Sequence, residues 1–192
     1  MSHTADDELA PWPIKTTRSV GCYPIFSIRT DIKTSPRTGS DHGFYVIECS
    51  DWVNVIAVTP DDHLVMIKQY RHGSGSVELE IPGGVMEPED VSPVDAAIRE
   101  LREETGYEGQ TARLIGDVYP NPAIMSNTCR TVLIEGCESK HPRALDPGED
   151  IVTELVPLGR VRAAVAEGRV SHALVIVALY YFDLDRAGNT RS

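Results

Sequence analysis

Glu100, Glu103 and Glu104 stand at i, i+3 and i+4 in the segment RELREETGY. On a helix this spacing puts three carboxylates on one face, with Cβ atoms about 5–6 Å apart. Such crowding is repulsive unless cations sit between the acids. Hard divalent cations that prefer oxygen, such as Mg²⁺, suit the arrangement. Arg99 and Arg102 can brace the acids from the flanks. Taken alone, three glutamates read first as a solvated, salt-bridged helix face, because charge runs usually are. Their surroundings decide otherwise.

The helix that would carry them is the best-marked element of the chain. Ser92 is a good N-cap, Pro93 suits the first helical position, and Asp95 can return a capping-box bond. Val94, Ala97, Ile98 and Leu101 recur at helical spacing, which predicts one buried stripe, and Gly106 ends the helix. Just upstream, VELEIPGG alternates and ends in Pro-Gly-Gly, as a strand running into a loop does. The strand, double glycine, loop and helix bring backbone carbonyls and helix acids to one spot.

The rest of the chain must hold that frame. CYPIFSIRTDIK and GFYVIEC read as strands separated by the turn-rich TSPRTGSDHG, giving a small antiparallel annex. Residues 1–15 read as a loose acidic arm. WVNVIAVT and HLVMIKQYR read as a hairpin turning at Asp61-Asp62, the first strand buried on both faces. ARLIGDVYP, TVLIEGCES and IVTELVPL read as further strands, and Leu158–Glu167 as a short helix. Ser171–Leu184 is apolar enough for a buried helix or a strand, and its length favours the helix. The fold class is therefore α/β, a mixed sheet sandwiched between helices. The domains expected are 1–50, arm and β annex, and 51–192, the remainder.

Composition narrows the chemistry. The 192 residues include 18 Lys and Arg against 29 Asp and Glu, a net charge of −11. Such a field repels nucleic acid and anionic membranes, and leaves a small anionic ligand admissible only where cations screen it. The four cysteines match no zinc spacing and form no CxxC pair. The polar start MSHTADDELAPWPIK is unlike a signal peptide, and the longest apolar run, Ala173 to Phe182, is too short to span a bilayer. A cytoplasmic protein with reduced thiols is expected.

Gly84, Arg99, Glu100, Leu101, Glu103, Glu104, Gly106 and Tyr107 together resemble the box of the Nudix hydrolase family: Gly, five residues, Glu, seven residues, Arg-Glu-apolar-x-Glu-Glu-x-Gly-apolar. The interval from Gly84 to Arg99 is longer than in the box, and Asp90 stands where the box has its first glutamate. VNVIAVT, LVMIKQYRHG and ELEIPGG before the box, and DPGEDI and GRVSHALVIVAL after it, are similar to the branch that cleaves ADP-ribose and ADP-sugars. The resemblance implies the Nudix α/β/α fold with a small N-terminal β domain and an intertwined homodimer. It also implies Mg²⁺-dependent hydrolysis (Mn²⁺ being the alternative) of a nucleoside diphosphate linked to another group, ADP-ribose or an ADP-sugar. The products would be AMP and a sugar phosphate.

On the same grounds Glu100 and Glu104 match metal ligands, Glu103 joins them or bridges through water, and the Gly83 carbonyl completes the set. Arg99 and Glu103 count among the catalytic residues. Glu149, in the loop DPGEDI, matches a mobile-loop base that activates water. Arg71 is a candidate for phosphate, Tyr70 for stacking on a base, and Glu80 resembles a strand glutamate that helps binding. The loop YPNPAIMSN departs from the Ser-Pro-Gly of ADP-ribose-cleaving relatives and offers Asn127 to substrate. The remaining alternatives are a Nudix hydrolase for another dinucleotide or a nucleoside triphosphate, and a non-catalytic nucleotide-binding module. His42, His63, His72, His141 and His172 suggest no site.

Overall fold

The computed structural model describes residues 9–188; residues 1–8, most of the expected arm, lie outside the described residues. The chain divides into two units, one running up to Cys49 and joined by Asn121–Asn127, the other comprising Ser50–Pro120 and the chain from Thr128 on.

The smaller unit is an antiparallel sheet of β1 (Ile14–Cys22), β2 (Ser27–Thr34) and β3 (Asp41–Glu48), in that order. The run CYPIFSIRTDIK is thus not one strand. It turns between Tyr23 and Phe26, where the Tyr23 N–H donates to the Phe26 carbonyl at 2.9 Å. Pro24 has no N–H to give a ladder, so the strand breaks there. Asp31 is fully buried yet bonded to Thr17 Oγ1 at 2.8 Å and Arg29 Nε at 3.1 Å. Burial alone raises its pKa, but those hydrogen bonds and the charges of Arg29 and Lys33 hold it below the usual carboxylate range. Asn121–Asn127 returns to this unit through the Ile47 N–H, which donates to the Ile124 carbonyl at 2.7 Å.

The larger unit runs β4 (Trp52–Val58), β5 (His63–Arg71), β6 (Ser76–Glu80), β7 (Gly83–Val85), α1 (Pro93–Thr105), β8 (Tyr107–Glu108) and β9 (Thr111–Val118). It continues with β10 (Cys129–Glu135), β11 (Glu138–Ser139), β12 (Ile151–Pro157), α2 (Leu158–Ala166) and α3 (Ala173–Arg186). Ser171–Leu184 is therefore mostly helix. The main sheet has the order β12-β5-β4-β10-β9, with β4 and β10 parallel and the other neighbours antiparallel.

Side-chain alternation along the central strands feeds two cores. Val55 and Ala57 of β4 and Val132 and Ile134 of β10 meet Ala97 and Leu101 of α1. Ile56 and Leu133, on the opposite face, meet Val175, Ala178, Leu179 and Phe182 of α3. Each fully buried aliphatic side chain contributes roughly 1.5–3 kcal/mol. The result is the α/β/α sandwich expected.

The hairpin of β4 and β5 is real but pairs at Val58↔Leu64 alone. Beyond that point the two strands splay. β6 takes β5 from Ile67↔Glu80 to Arg71↔Ser76, and β7 takes β4 from Trp52↔Val85 to Asn54↔Gly83. A single continuous segment, β6–Pro82–β7, bridges the split. The Pro82 carbonyl accepts from the Val55 N–H at 2.8 Å, which fixes the bend. This split in the sheet makes the site.

Candidate active site

α1 is built as its sequence dictates, with two differences. The Ser92 hydroxyl accepts from the Asp95 N–H at 3.2 Å, but Asp95 answers through its carboxylate, taking the hydroxyl proton at 2.7 Å instead of the Ser92 N–H. Removing such a cap costs about 1 kcal/mol. The buried stripe is also rotated: Ala96, Ala97, Leu101, Glu104 and Thr105 face inward, while Ile98 is exposed. The stripe Ala97–Leu101–Glu104 follows helical spacing, so the core-facing side of α1 ends in a carboxylate.

That carboxylate is 2% exposed and accepts the Gly83 N–H at 3.0 Å. Burial pushes Glu104 up to about 8; the Gly83 N–H opposes this, and the charges of Glu100 and Glu149 add to it. Glu100 lies directly against Gly84, where its carboxylate occupies the space of any Cβ. Burial pushes it up to about 7 against the pull of Arg99. Glu104 is therefore short of positive charge, while Glu100 draws on Arg99.

Arg99 is the hub beside them. Its guanidinium donates to Glu100 Oε1 at 3.0 Å, Glu103 Oε2 at 3.1 Å, the Val85 carbonyl at 3.0 Å and Asp90 Oδ2 at 3.0 Å. Asp90 also accepts the Glu87 N–H at 2.8 Å. The longer loop of the box thus brings its shorter acid onto Arg99. Gly106 closes the helix in a left-handed conformation, φ 75°, packed against the His141 carbonyl with no room for a side chain.

On β5 and β6, Arg71 and Glu80 form a bidentate pair at 2.9 and 2.8 Å, and Glu80 is buried. Hydrogen bonding to Glu80 raises the Arg71 pKa, with the Glu104 and Glu149 charges adding. Glu80 presents no free carboxylate; it aims Arg71. Glu149 sits in its own turn, its Oε2 accepting the Asp146 N–H at 3.1 Å and its N–H donating to the Asp146 carbonyl at 2.9 Å. Its charge is felt at Glu100, Glu104 and Arg71 alike.

A cavity of about 520 Å³ opens where the sheet splits. Arg71, Glu80, Gly83 and Gly84 line it together with His72, Ser74, Glu78, Ser171 and His172. Trp52 and Asn54 line it from β4, and the Asn54 amide donates to the Leu174 carbonyl at 3.0 Å. Tyr70 does not line it. Neighbours on a strand face opposite sides, so with Arg71 inward Tyr70 points away, its ring edge-on to His72 at 5.2 Å. Asn127, buried in the smaller unit, does not line the cavity either. The histidines do contribute: His72 and His172 both line the cavity. No local signal marks that pairing, which only the fold creates.

The NUDIX domain model matches residues 51–176. The chain belongs to the NUDIX family. Members generally use divalent metal ions. Among relatives of this Nudix chain, the methanol dehydrogenase activator of Bacillus methanolicus is 31% identical over 137 residues, 70% of this chain and 73% of the relative. The ADP-ribose pyrophosphatase of Mycobacterium tuberculosis is 27% identical over 156 residues, covering 81% and 75%. The ADP-sugar pyrophosphatase of Mus musculus is 32% identical over 145 residues, covering 70% and 66%. A solved structure of an ADP compounds hydrolase superposes with a TM-score of 0.82 at 21% identity, covering 96% of this chain and all of that one, and supports the fold.

The Nudix donors fit a metal by their chemistry. Glu104 is buried with no arginine or lysine bonded to it among the described residues, Glu100 shares the one guanidinium of Arg99 with Glu103 and Asp90, and the set is all oxygen. Among the described residues, however, no three acidic, histidine or cysteine side chains converge on one point. Arg99 draws Glu100 and Glu103 to itself while Gly83 holds Glu104.

Proposed function

We propose that this Nudix pyrophosphohydrolase hydrolyses the pyrophosphate of a nucleoside diphosphate linked to a sugar, ADP-ribose or an ADP-sugar, to AMP and a sugar phosphate. The observation that carries the reading is Glu104, buried with the Gly83 N–H on its carboxylate and within the field of Arg71, next to Glu100, whose carboxylate lies against Gly84. Two pyrophosphatases among the relatives support the substrate class. Glu100, Glu103, Glu104 and the Gly83 carbonyl would hold Mg²⁺, or Mn²⁺ in its place. Bound there, the metal would neutralise the pyrophosphate and acidify a water.

The chain's own groups do the rest. Arg71, aimed by Glu80, takes a phosphate oxygen with the guanidinium edge that Glu80 leaves open. Arg99 holds Glu100 and Glu103 in place. Glu149 swings from its turn to accept the proton of the attacking water, with Glu103 as the alternative base. Tyr70, edge-on to His72, is kept as a candidate for stacking on a base, and Asn127 as a candidate for a substrate hydroxyl.

The annex, residues 1–50, would serve dimerisation beside the Nudix domain, residues 51–192, with substrate held by residues of both chains. Exposed Ile25, Tyr45 and Tyr23 support a covered surface there. Among the described residues no helix is long and apolar enough to cross a membrane.

A substrate panel with Mg²⁺, read by the released phosphate products, tests the activity. AMP with sugar phosphate is the expected pair. Hydrolysis confined to nucleoside triphosphates, or none at all, overturns the reading.

A further inference from the structure

The cavity holds a second carboxylate besides Glu80, with a chemistry of its own. Glu78 stands in its wall and is tied down from three directions. Its Oε1 accepts the hydroxyls of Ser74, in the β5–β6 turn, at 3.0 Å and Ser76, at the start of β6, at 2.6 Å. Its Oε2 accepts the Ser171 hydroxyl at 2.5 Å, just ahead of α3. One carboxylate thus clasps two segments that are distant in sequence. It lines the same cavity as His72 and His172.

The serine bonds hold the Glu78 pKa below its ordinary value, Ser171 contributing most. The wall therefore carries a fixed negative charge. Among the described lining residues Arg71 is the only lysine or arginine, and its guanidinium is already paired with Glu80. Among those residues no second lysine or arginine is left to compensate a further anion. Hydroxyls, an ionised acceptor and imidazoles are instead suited to the O–H groups of a neutral sugar. His172 Nδ1 is buried with no protein partner among the described residues, a further polar atom for such a group.

We propose that Glu78 is a specificity-determining residue: latched by Ser74, Ser76 and Ser171, it admits a neutral sugar on the nucleoside diphosphate and repels a sugar or chain that ends in phosphate. The proposal rests on the pyrophosphohydrolase reading above. Discrimination by an unpaired charge against the wrong ligand is a common device for specificity.

The test compares ADP-ribose with the same compound carrying a phosphate ester on its terminal sugar. The full chain is expected to favour the neutral compound by at least ~10-fold in kcat/KM, and Glu78→Gln to shrink that ratio by at least ~5-fold. A ratio the same in parent and variant, or no preference in the parent, overturns the proposal. Should Glu78→Gln fail to fold, Ser171→Ala carries the test. It should raise KM for ADP-ribose roughly 3–5-fold with kcat held, and Ser171→Thr, which keeps the hydroxyl, should restore it. An unchanged KM in Ser171→Ala overturns the latch. If the parent hydrolyses neither compound, the proposed activity has failed; the same ratio is then read from Kd by calorimetry, which decides the Glu78 assignment separately.

Discussion

Glu80 and Glu104 stand near the same double glycine and are each 2% exposed, yet the structure treats them in opposite ways. Glu80 has a bidentate arginine, at 2.9 and 2.8 Å from Arg71. Glu104 has one backbone N–H, from Gly83 at 3.0 Å, and like charges nearby. Burial of a charge is costly unless it is paired. A carboxylate buried with its cation is an element of architecture that orients the cation. A carboxylate buried without one is a seat for a cation that comes from outside. Burial alone does not separate these cases; the partner does.

The comparison is broken most directly at Glu104. Glu104→Gln should cut turnover at saturating Mg²⁺ by at least ~100-fold, because a metal ligand is lost. The metal-free fold should be as stable as the parent or more so, since the amide removes an uncompensated charge while keeping the shape. Turnover assays and thermal melts in EDTA read the two effects. Near-normal turnover would remove Glu104 from the metal site.

Glu149 sharpens the separation of proton transfer from metal holding. Glu149→Gln should lower turnover by roughly 100-fold with substrate and Mg²⁺ affinity little changed, as loss of a general base does. Its carboxylate bonds only within its own turn in the arrangement described, so the melting temperature should barely move. Turnover within about threefold of the parent would place the base elsewhere, with Glu103 and Asp150 next to test.

Arg71 tests the paired half. Arg71→Met leaves Glu80 buried without its cation. Breaking a buried pair in this way is strongly destabilising, but the Arg71 side chain is 40% exposed and water can enter. The expected loss is therefore reduced to about 1–3 kcal/mol by denaturant titration. Glu80→Gln should lose less, and the double variant less than the sum of the two, which a double-mutant cycle measures. Additive losses would mean that the two side chains do not act as a pair.

What could be read in advance follows the range of the interactions. The box glutamates, the Ser92 cap and the Gly106 stop are set within a few residues of each other, and sequence spacing shows them. The stripe was misplaced onto Ile98 because the true inward face ends in Glu104, a residue type that hydropathy assigns to solvent. Tyr70 adjoins Arg71 in sequence but does not line the cavity, since strand alternation turns the two to opposite sides. The splaying of β4 from β5 leaves no mark in two strand-like runs joined by a turn. With that split hidden, so were the residues it gathers: Asn54, Glu78, Ser171 and the two histidines come from separate segments, each unremarkable where it stands.

The smallest expected effect is a pH dependence that distinguishes the two halves without mutation. Glu104 moves from an ordinary 4.5 to about 8, and Glu100 from 4.5 to about 7, both chiefly through burial. For an acid raised in this way the folded state holds the proton more tightly than the unfolded chain. Stability is then greatest below the unfolded pKa and falls as pH rises toward the folded one. The metal-free protein should accordingly lose stability between about pH 4.5 and 8 through these two groups. A loss of only ~1 kcal/mol would appear as a fall of roughly 2–4 °C in melting temperature for a chain of this size. Saturating Mg²⁺ should flatten the fall, because the cation competes for the same oxygens and stabilises the ionised form. In Glu104→Gln the slope should be shallower without metal, and Mg²⁺ should change it little. An equal slope in parent and variant, with and without Mg²⁺, would show that Glu104 already has its counter-charge and belongs with Glu80.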